Sequence, residues 1–235
     1  MTYIRFTTRF AIVFALLCGF SSFAHAKSAG IEWDILNQET MELYRTGKYD
    51  RAVVVAQKAL QVAEQNVGPD HPAVATSLNN LAMLYDTQGA YAQAEPLYKR
   101  ALAIDEKALG PDHPDVATSL NNLAEIYRAQ GDYARAEPLH KRSLAIAEKA
   151  LGPDHPAVAV SLNNLAILYY TQGDYARAEP LYKRALAIRE KALGPDHPHV
   201  ATSLENLAAL YRATKRSAEA EALEQRAARI RAIER

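Results

Sequence analysis

A period of 42 residues runs through the sequence and limits the fold more than any other feature. The motif Gly-Pro-Asp-His-Pro recurs with this period, beginning at Gly68, Gly110, Gly152 and Gly194. The motif Leu-Asn-Asn-Leu-Ala begins at Leu78, Leu120 and Leu162, and a close variant begins at Leu204. Such a period indicates one supersecondary unit that is repeated and stacked. It divides the chain into an N-terminal segment, 1–26, and five units, 27–67, 68–109, 110–151, 152–193 and 194–235.

Each unit is predicted to form two helices joined by a tight turn. In the unit 68–109, apolar residues at helical spacing mark a first helix, helix A, at Val74, Leu78, Leu81, Ala82 and Tyr85. A second apolar stripe marks helix B, at Ala94, Leu97, Ala101, Ile104 and Ala108. Gly89 is predicted to end helix A in the left-handed conformation, and Asp132 and Asp174 are expected to cap helix B in later units. A single hairpin cannot bury both stripes, so the units are expected to stack.

The order of these residues resembles the tetratricopeptide repeat. The signature is carried by Leu78, Leu81, Ala82, Tyr85, Gly89, Tyr91, Ala94, Tyr98 and Ala101. The eight additional residues per unit resemble the longer, kinesin light chain type of this repeat. The resemblance implies an all-α fold, a right-handed α-solenoid of five helix-turn-helix repeats whose A helices line a concave groove for peptides or partner proteins. The units 27–67 and 194–235 depart from the pattern and are interpreted as degenerate capping repeats.

The candidate partner-binding residues lie on a flank of helix A, beside its buried stripe. At 100° per residue this flank is about a quarter turn from the Leu78 side. It contains Asn79, Met83, Asp86, Asn121, Glu125, Arg128, Asn163, Ile167, Tyr170, Glu205 and Arg212. The buried positions are nearly identical between units, whereas these side chains differ in size and charge. We expect a constant frame with a variable lining, in which asparagines bind a peptide backbone and the variable residues select its side chains.

The second asparagine of each Leu-Asn-Asn-Leu-Ala motif allows two interpretations. Asn80, Asn122 and Asn164 either face the groove or form hydrogen bonds with the adjacent unit, because a buried amide needs partners. The sequence alone does not decide whether these three side chains face the groove or the adjacent unit. For Asn79, Asn121 and Asn163 the groove is the preferred interpretation.

No catalytic residue, metal ligand, cofactor site or nucleic-acid interface is predicted. The linker histidines, one in each Gly-Pro-Asp-His-Pro motif, are a whole repeat apart and are interpreted as helix caps, not zinc ligands. His140 and His199 occur at variable positions and are assigned no site. Glu106 and Glu148, beside basic residues of helix B, are interpreted as solvated charges on the helix face. The 27 basic and 27 acidic residues balance, which argues against steering of nucleic acid.

The segment 1–26 has the three-part layout of a secretory signal peptide. Arg5 and Arg9 precede an apolar run, 10–20, and the segment ends in Ala-His-Ala. The apolar run of 11 residues is too short to cross a bilayer, so we expect cleavage after Ala26 and no retained membrane span. Export from a bacterium to the periplasm or the exterior follows from this prediction.

A lipoprotein signal is the alternative, because Cys18 is the only cysteine and lies in this segment. Leu17 argues against it, since a small residue is expected before a lipidated cysteine. Cleavage after Ala26 removes Cys18 and leaves a chain without thiols.

The function predicted from these features is a non-catalytic scaffold that holds a peptide or partner protein in the groove. The alternative is a structural protein that assembles through its convex face or by end-to-end self-association, because nearly identical repeats offer similar surfaces at both ends. An enzyme with an unrecognised site is a third class, and it requires clustered carboxylates or histidines in the groove.

Overall fold

A computed structural model describes residues 30–233, and within this range the chain consists of ten α-helices joined by short turns, with no strand. The helices are α1 (30–45), α2 (Tyr49–Val67), α3 (Pro72–Thr87), α4 (Tyr91–Leu109), α5 (Pro114–Ala129), α6 (Tyr133–Leu151), α7 (Pro156–Thr171), α8 (Tyr175–Leu193), α9 (Pro198–Ala213) and α10 (Ser217–Ile233). Odd-numbered helices correspond to helix A and even-numbered helices to helix B. The predicted signal peptide, 1–26, lies outside the described residues.

The fold is all-helical and consists of successive helix-turn-helix hairpins, as the resemblance implied. Two compact units are present, one up to Ile104 and one from Asp105 onwards, and their boundary falls within α4. In each unit, an A helix packs against the B helices before and after it. None of the helices in residues 30–233 is both long enough and apolar enough to cross a membrane.

The core of the first unit combines small and large apolar residues. Ala63, Val74 and Leu78 are buried together, and Trp33 of α1 packs against this cluster. The Trp33 indole also donates a hydrogen bond from Nε1 to Ser77 Oγ at 2.8 Å. The first hairpin therefore joins the second through both apolar packing and a partly buried hydrogen bond.

The second unit repeats the same core twice. Ala147, Val158 and Leu162 form one cluster with residues of α8, and Val200, Leu204 and Ile230 form the next cluster with α10. The alanines let neighbouring helices approach closely, while the leucines fill the space between them. This alternation explains why the buried positions change so little from repeat to repeat.

The linker histidines cap the A helices, which confirms their interpretation as caps. In each linker the histidine Nδ1 accepts a hydrogen bond from the backbone N–H two residues later, as at His71, His113, His155 and His197. A proline follows each histidine at the first helical position, where its missing N–H costs no intrahelical bond. The predicted caps of helix B are also confirmed, because Asp132 accepts from the Arg135 N–H and Asp174 from the Arg177 N–H.

The turn between helices A and B needs a residue with positive φ. Glycine occupies this position in the first four repeats, with φ between 72° and 77° at Gly47, Gly89, Gly131 and Gly173. In the fifth repeat Lys215 takes its place with φ 62°, and within residues 30–233 it is the one residue other than glycine in this conformation. The last repeat therefore keeps the turn at the cost of backbone strain.

An arginine on each of four B helices clamps two successive repeats together. Arg142 illustrates the contact: Nη1 donates to Glu106 Oε1 of the previous B helix at 2.6 Å, and Nη2 donates to the Pro111 carbonyl of the intervening linker at 3.2 Å. The same bonds between successive repeats are made by Arg100, Arg184 and Arg226. The interpretation of Glu106 and Glu148 as solvated charges was wrong, because both are partly buried and bind an arginine of the next repeat.

Candidate functional site

In the first unit, the candidate residues Asn79, Met83 and Asp86 lie on α3 and are all partly exposed. The neighbouring Asn80 donates a hydrogen bond from Nδ2 to Asn37 Oδ1 of α1 at 2.9 Å. Asn37 is the residue one period before Asn79. The second amide of one repeat therefore binds the first amide of the preceding repeat.

In the second unit, the predicted amides Asn121 and Asn163 lie in the packing between A helices. Their exposed fractions are only 8% and 7%. Asn206 of α9 donates from Nδ2 to Asn163 Oδ1 at 2.8 Å, which repeats the Asn80–Asn37 bond. Asn121 instead donates from Nδ2 to Ser161 Oγ of α7 at 3.2 Å. In this unit these side chains join α5 to α7 and α7 to α9.

The charged candidates of the second unit are paired with other charges of the chain. Arg128 binds Glu125 three residues earlier on α5, with Nη2 2.8 Å from Oε2. Arg212 of α9 binds Glu224 of α10 at 2.6 Å, and Glu205 of α9 binds Arg231 of α10 at 3.2 Å. The charged candidates of this unit are therefore two acidic and two basic residues, and the surface that they form has no net charge.

Ile167 and Tyr170 differ from these candidates because they are apolar or aromatic. Both lie on α7 and are partly exposed. The Tyr170 ring packs against the Tyr175 ring of α8, with centroids 5.5 Å apart and planes inclined by 53°. An aromatic side chain held in this way offers contact area with little loss of conformational entropy on binding.

His140 of α6 is a component of this region that sequence reasoning missed. Its side chain is fully buried, with Nδ1 2.9 Å from Asn121 Oδ1 and Nε2 3.3 Å from Glu125 Oε1. Burial alone would raise the pKa of Glu125, but the neighbouring His140 and Arg128 side chains outweigh burial and hold this pKa below its usual value. Polar contacts therefore extend from the partly exposed Arg128 and Glu125 to the buried His140, and from His140 through Asn121 to Ser161.

The role of His140 could have been inferred by comparing equivalent positions in neighbouring repeats. Tyr98 and Tyr182 occupy the equivalent positions one repeat before and one repeat after it. Glu125 likewise has Met83 and Ile167 as its equivalents, so the only acidic residue among these three accompanies the only histidine. The paired change at the positions of Glu125 and His140 therefore indicates that these two side chains are in contact.

The described residues give no support for a metal site. Within residues 30–233, no cluster of three His, Cys, Asp or Glu side chains is placed to hold a metal ion. The linker histidines use Nδ1 to cap helices, and His140 is buried between α5 and α6 with Nδ1 2.9 Å from Asn121 Oδ1.

Comparison with protein families gives a match to the tetratricopeptide repeat. The matched residues are 43–107, 91–149, 115–191 and 172–232, which together cover most of the chain. A sequence comparison with curated proteins gives no match.

Solved structures with the same fold include two that are 27% and 28% identical to this chain. BtubC (BKLC) from P. vanneervenii is 28% identical, with a TM-score of 0.70 over 90% of this chain and 91% of that chain. The nearly identical TPR-like repeats of a kinesin light chain candidate from Podosopora anserina are 27% identical, with a TM-score of 0.69 over 86% and 96%.

A Rap protein complexed with Competence and Sporulation Factor has the same fold at lower identity. It is 18% identical, with a TM-score of 0.71 over 85% of this chain and 54% of that chain. At this identity the similarity is one of fold alone.

Proposed function

This chain belongs to the tetratricopeptide repeat family, and on that premise we propose that it is a non-catalytic scaffold that binds a peptide or a partner protein along its A helices. Tetratricopeptide repeats generally mediate interactions between proteins. The proposal places this binding in the periplasm or outside the cell, in keeping with the predicted signal peptide, and involves no cofactor.

One observation carries the proposal: partly exposed side chains of the A helices vary between repeats, although the packing beneath them is constant. On successive A helices of the second unit, the exposed column reads Glu125, Ile167 and Ala209. The buried column beside it reads Leu123, Leu165 and Leu207, without variation. Glu125 also contacts His140 of α6, but Ile167 and Ala209 differ as well, and recognition of a specific partner would account for a variable surface on a constant frame.

Ile167 and Tyr170 are the residues on which this proposal is best tested. They are the apolar and aromatic candidates of the second unit, and they are not held in the ion pairs that occupy Glu125, Arg128 and Arg212. Asn121 and Asn163 are less suitable, because their removal would also break hydrogen bonds between repeats. As partner-binding residues, these amides stay predictions.

The experiment is a selection of random linear peptides against the full chain, followed by affinity measurements on the selected peptides. We expect Ile167→Glu and Tyr170→Ala each to weaken binding at least about tenfold, because a carboxylate in an apolar contact and the loss of an aromatic anchor each cost about 1.4 kcal/mol or more.

The matched control is Val54→Glu, which introduces the same charge at a position of α2 that is 65% exposed. This variant should bind the selected peptides as well as the natural chain does. Circular dichroism must show equal helicity for all variants. Unchanged affinity in both Ile167→Glu and Tyr170→Ala would remove the A-helix surface from the proposal.

A further inference from the structure

The second unit contains a cleft between the N-terminal halves of α5 and α7 and the C-terminal end of α6. Its volume is about 270 Å³, and its lining includes Asp115, Thr118, Ala147, Leu151, Val160 and Ser161. Leu151 and Val160 are exposed apolar side chains, and Ser161 is buried. Asn121 also lines the cleft and connects it with the candidate surface on the A helices.

The cleft exists because Ala147 is smaller than its equivalents in the flanking repeats. One repeat earlier Asp105 stands at this position, is 4% exposed, and accepts a hydrogen bond from Ser119 Oγ at 2.7 Å. One repeat later Arg189 stands there and is 9% exposed. Ala147 has no polar group to reach Ser161, the equivalent of Ser119. Asp105 and Arg189 therefore fill this space in the flanking repeats, whereas Ala147 leaves it open in the repeat between them.

Arg189 shows how a guanidinium fits this space. Its Nη1 donates to Ser203 Oγ at 2.6 Å and to the His199 carbonyl at 3.4 Å. Ser203 is the equivalent of Ser161, and Ala157 follows the linker at the position that Asp115 has in the preceding repeat. An acidic residue is thus present beside the open cleft and absent beside the cleft that already holds a cation.

The electrostatic environment of the open cleft favours a cation. Burial raises the pKa of the Asp105 carboxyl, and the nearby Asp115 carboxylate raises it further against the opposing effects of Ser119 and His113. Asp115 lines the cleft and therefore places a carboxylate beside it, and its Oδ2 also lies 3.6 Å from His113 Nδ1. A positive group that paired with Asp115 would also relieve its repulsion of Asp105.

We propose that this cleft receives an arginine side chain of the bound partner. The guanidinium would contact Ser161 as Arg189 contacts Ser203 and would pair with Asp115, while the aliphatic stem would lie against Leu151 and Val160. This inference rests on the proposed function, because it specifies one side chain of the peptide or protein that the A helices bind.

The test uses N-acetyl-arginine amide as the probe and the full chain, followed by two-dimensional ¹H–¹⁵N NMR. We expect saturable shifts at the backbone amides of Asp115, Thr118 and Ser161. The uncharged isostere N-acetyl-citrulline amide should bind roughly tenfold more weakly, because it cannot form the charge-assisted hydrogen bonds to Asp115. Equal binding of the two probes, or shifts located elsewhere, would overturn the proposal.

Two variants assign the shifts to the cleft. Ala147→Arg places an arginine where Arg189 stands in the next repeat and should abolish the shifts, while circular dichroism stays unchanged. Asp115→Asn keeps the shape of the cleft and should remove the preference for arginine over citrulline. If Ala147→Arg fails to fold, Asp115→Asn alone tests the cleft assignment. An Asp115→Asn variant that still prefers the arginine probe over the citrulline probe contradicts the proposal.

Arg189→Ala is the matched control, since it opens the equivalent space beside Ser203 without a carboxylate opposite. The probe should shift the Ser203 amide only at roughly tenfold higher concentration than it shifts the Ser161 amide. Equal affinity at both positions would show that Asp115 does not select a cation.

Failure of this inference is distinguishable from failure of the proposed function. A chain that binds selected peptides through Ile167 and Tyr170 but not the arginine probe retains the function and loses the cleft assignment. A chain that binds the probe in the cleft but none of the selected peptides retains the cleft and loses the proposed function.

Discussion

At the scale of single residues, the histidine of each linker acts as a helix cap through one ring nitrogen. His155 accepts the Ala157 N–H at 3.2 Å and begins α7. We expect His155→Ala to lower the free energy of unfolding by about 1 kcal/mol, the usual cost of losing an N-cap acceptor. His155→Asn, which keeps an acceptor, should retain the stability of the natural chain. Urea denaturation of both variants checks this, and equal stability of the alanine and asparagine variants would contradict the capping role.

Within residues 30–233, Lys215 is the one residue other than glycine with a positive φ. It has φ 62° at the turn where the other four repeats have glycine. Lys215→Gly should raise the free energy of unfolding by roughly 0.5–1 kcal/mol, because removal of the left-handed strain exceeds the entropy that glycine adds to the unfolded chain. Thermal denaturation measures the change. Gly173→Lys makes the reverse substitution one repeat earlier and should destabilise the chain, and the opposite sign in either variant would contradict this account.

At the scale of helices, α5 and α6 are joined by the buried contact of His140 with Asn121 and Glu125. His140→Tyr introduces the residue of the neighbouring repeats but leaves Glu125 facing a tyrosine, so we expect a loss of about 2 kcal/mol in unfolding free energy. Adding Glu125→Ile, the residue that repeat four has with its tyrosine, should restore part of this loss.

A double-mutant cycle measures the coupling between these two positions. The three variants and the natural chain should give a coupling energy of about 1 kcal/mol or more from urea denaturation. Additive effects would mean that the contact between Glu125 and His140 contributes nothing to the packing of α5 on α6. The pair Asp154→Asn and Lys191→Gln, an exposed ion pair between a linker and α8, is the control and should couple much more weakly.

The helices themselves could be predicted from the sequence, but the partners of their polar side chains could not. The spacing of Val74, Leu78 and Leu81 indicates one buried face of helix A wherever that helix packs. The two adjacent asparagines of each repeat are only 100° apart, and both border that face. Which amide is buried depends on residues of other helices, such as His140 and Ser161 around Asn121, and a helical period within one hairpin carries no information about them.

At the scale of the whole molecule, the 42-residue period was sufficient for the fold class because nearly every core position is repeated. Residues that differ from their equivalents in neighbouring repeats indicate features that are specific to this chain and are not shared by the fold. Ala147 is equivalent to Asp105 and Arg189 in the repeats before and after it, and it leaves a cleft open. His140 is equivalent to two tyrosines, and it contacts the Glu125 carboxylate. Differences between equivalent positions, more than the repeated motif, therefore indicate where this chain departs from a generic scaffold.

The two candidate functions differ in the oligomeric state that they require. Among the exposed large apolar side chains within residues 30–233, Leu151 and Val160 line the cleft, and Ile31 and Ile35 lie one turn apart on α1. Two isoleucines offer far less than the roughly 1,000 Å² that a stable interface buries. We therefore expect light scattering to give the monomer mass at all concentrations, and Ile31→Glu with Ile35→Glu to leave this mass unchanged. A mass that rises with concentration in the natural chain and not in this double variant would favour end-to-end assembly over partner binding.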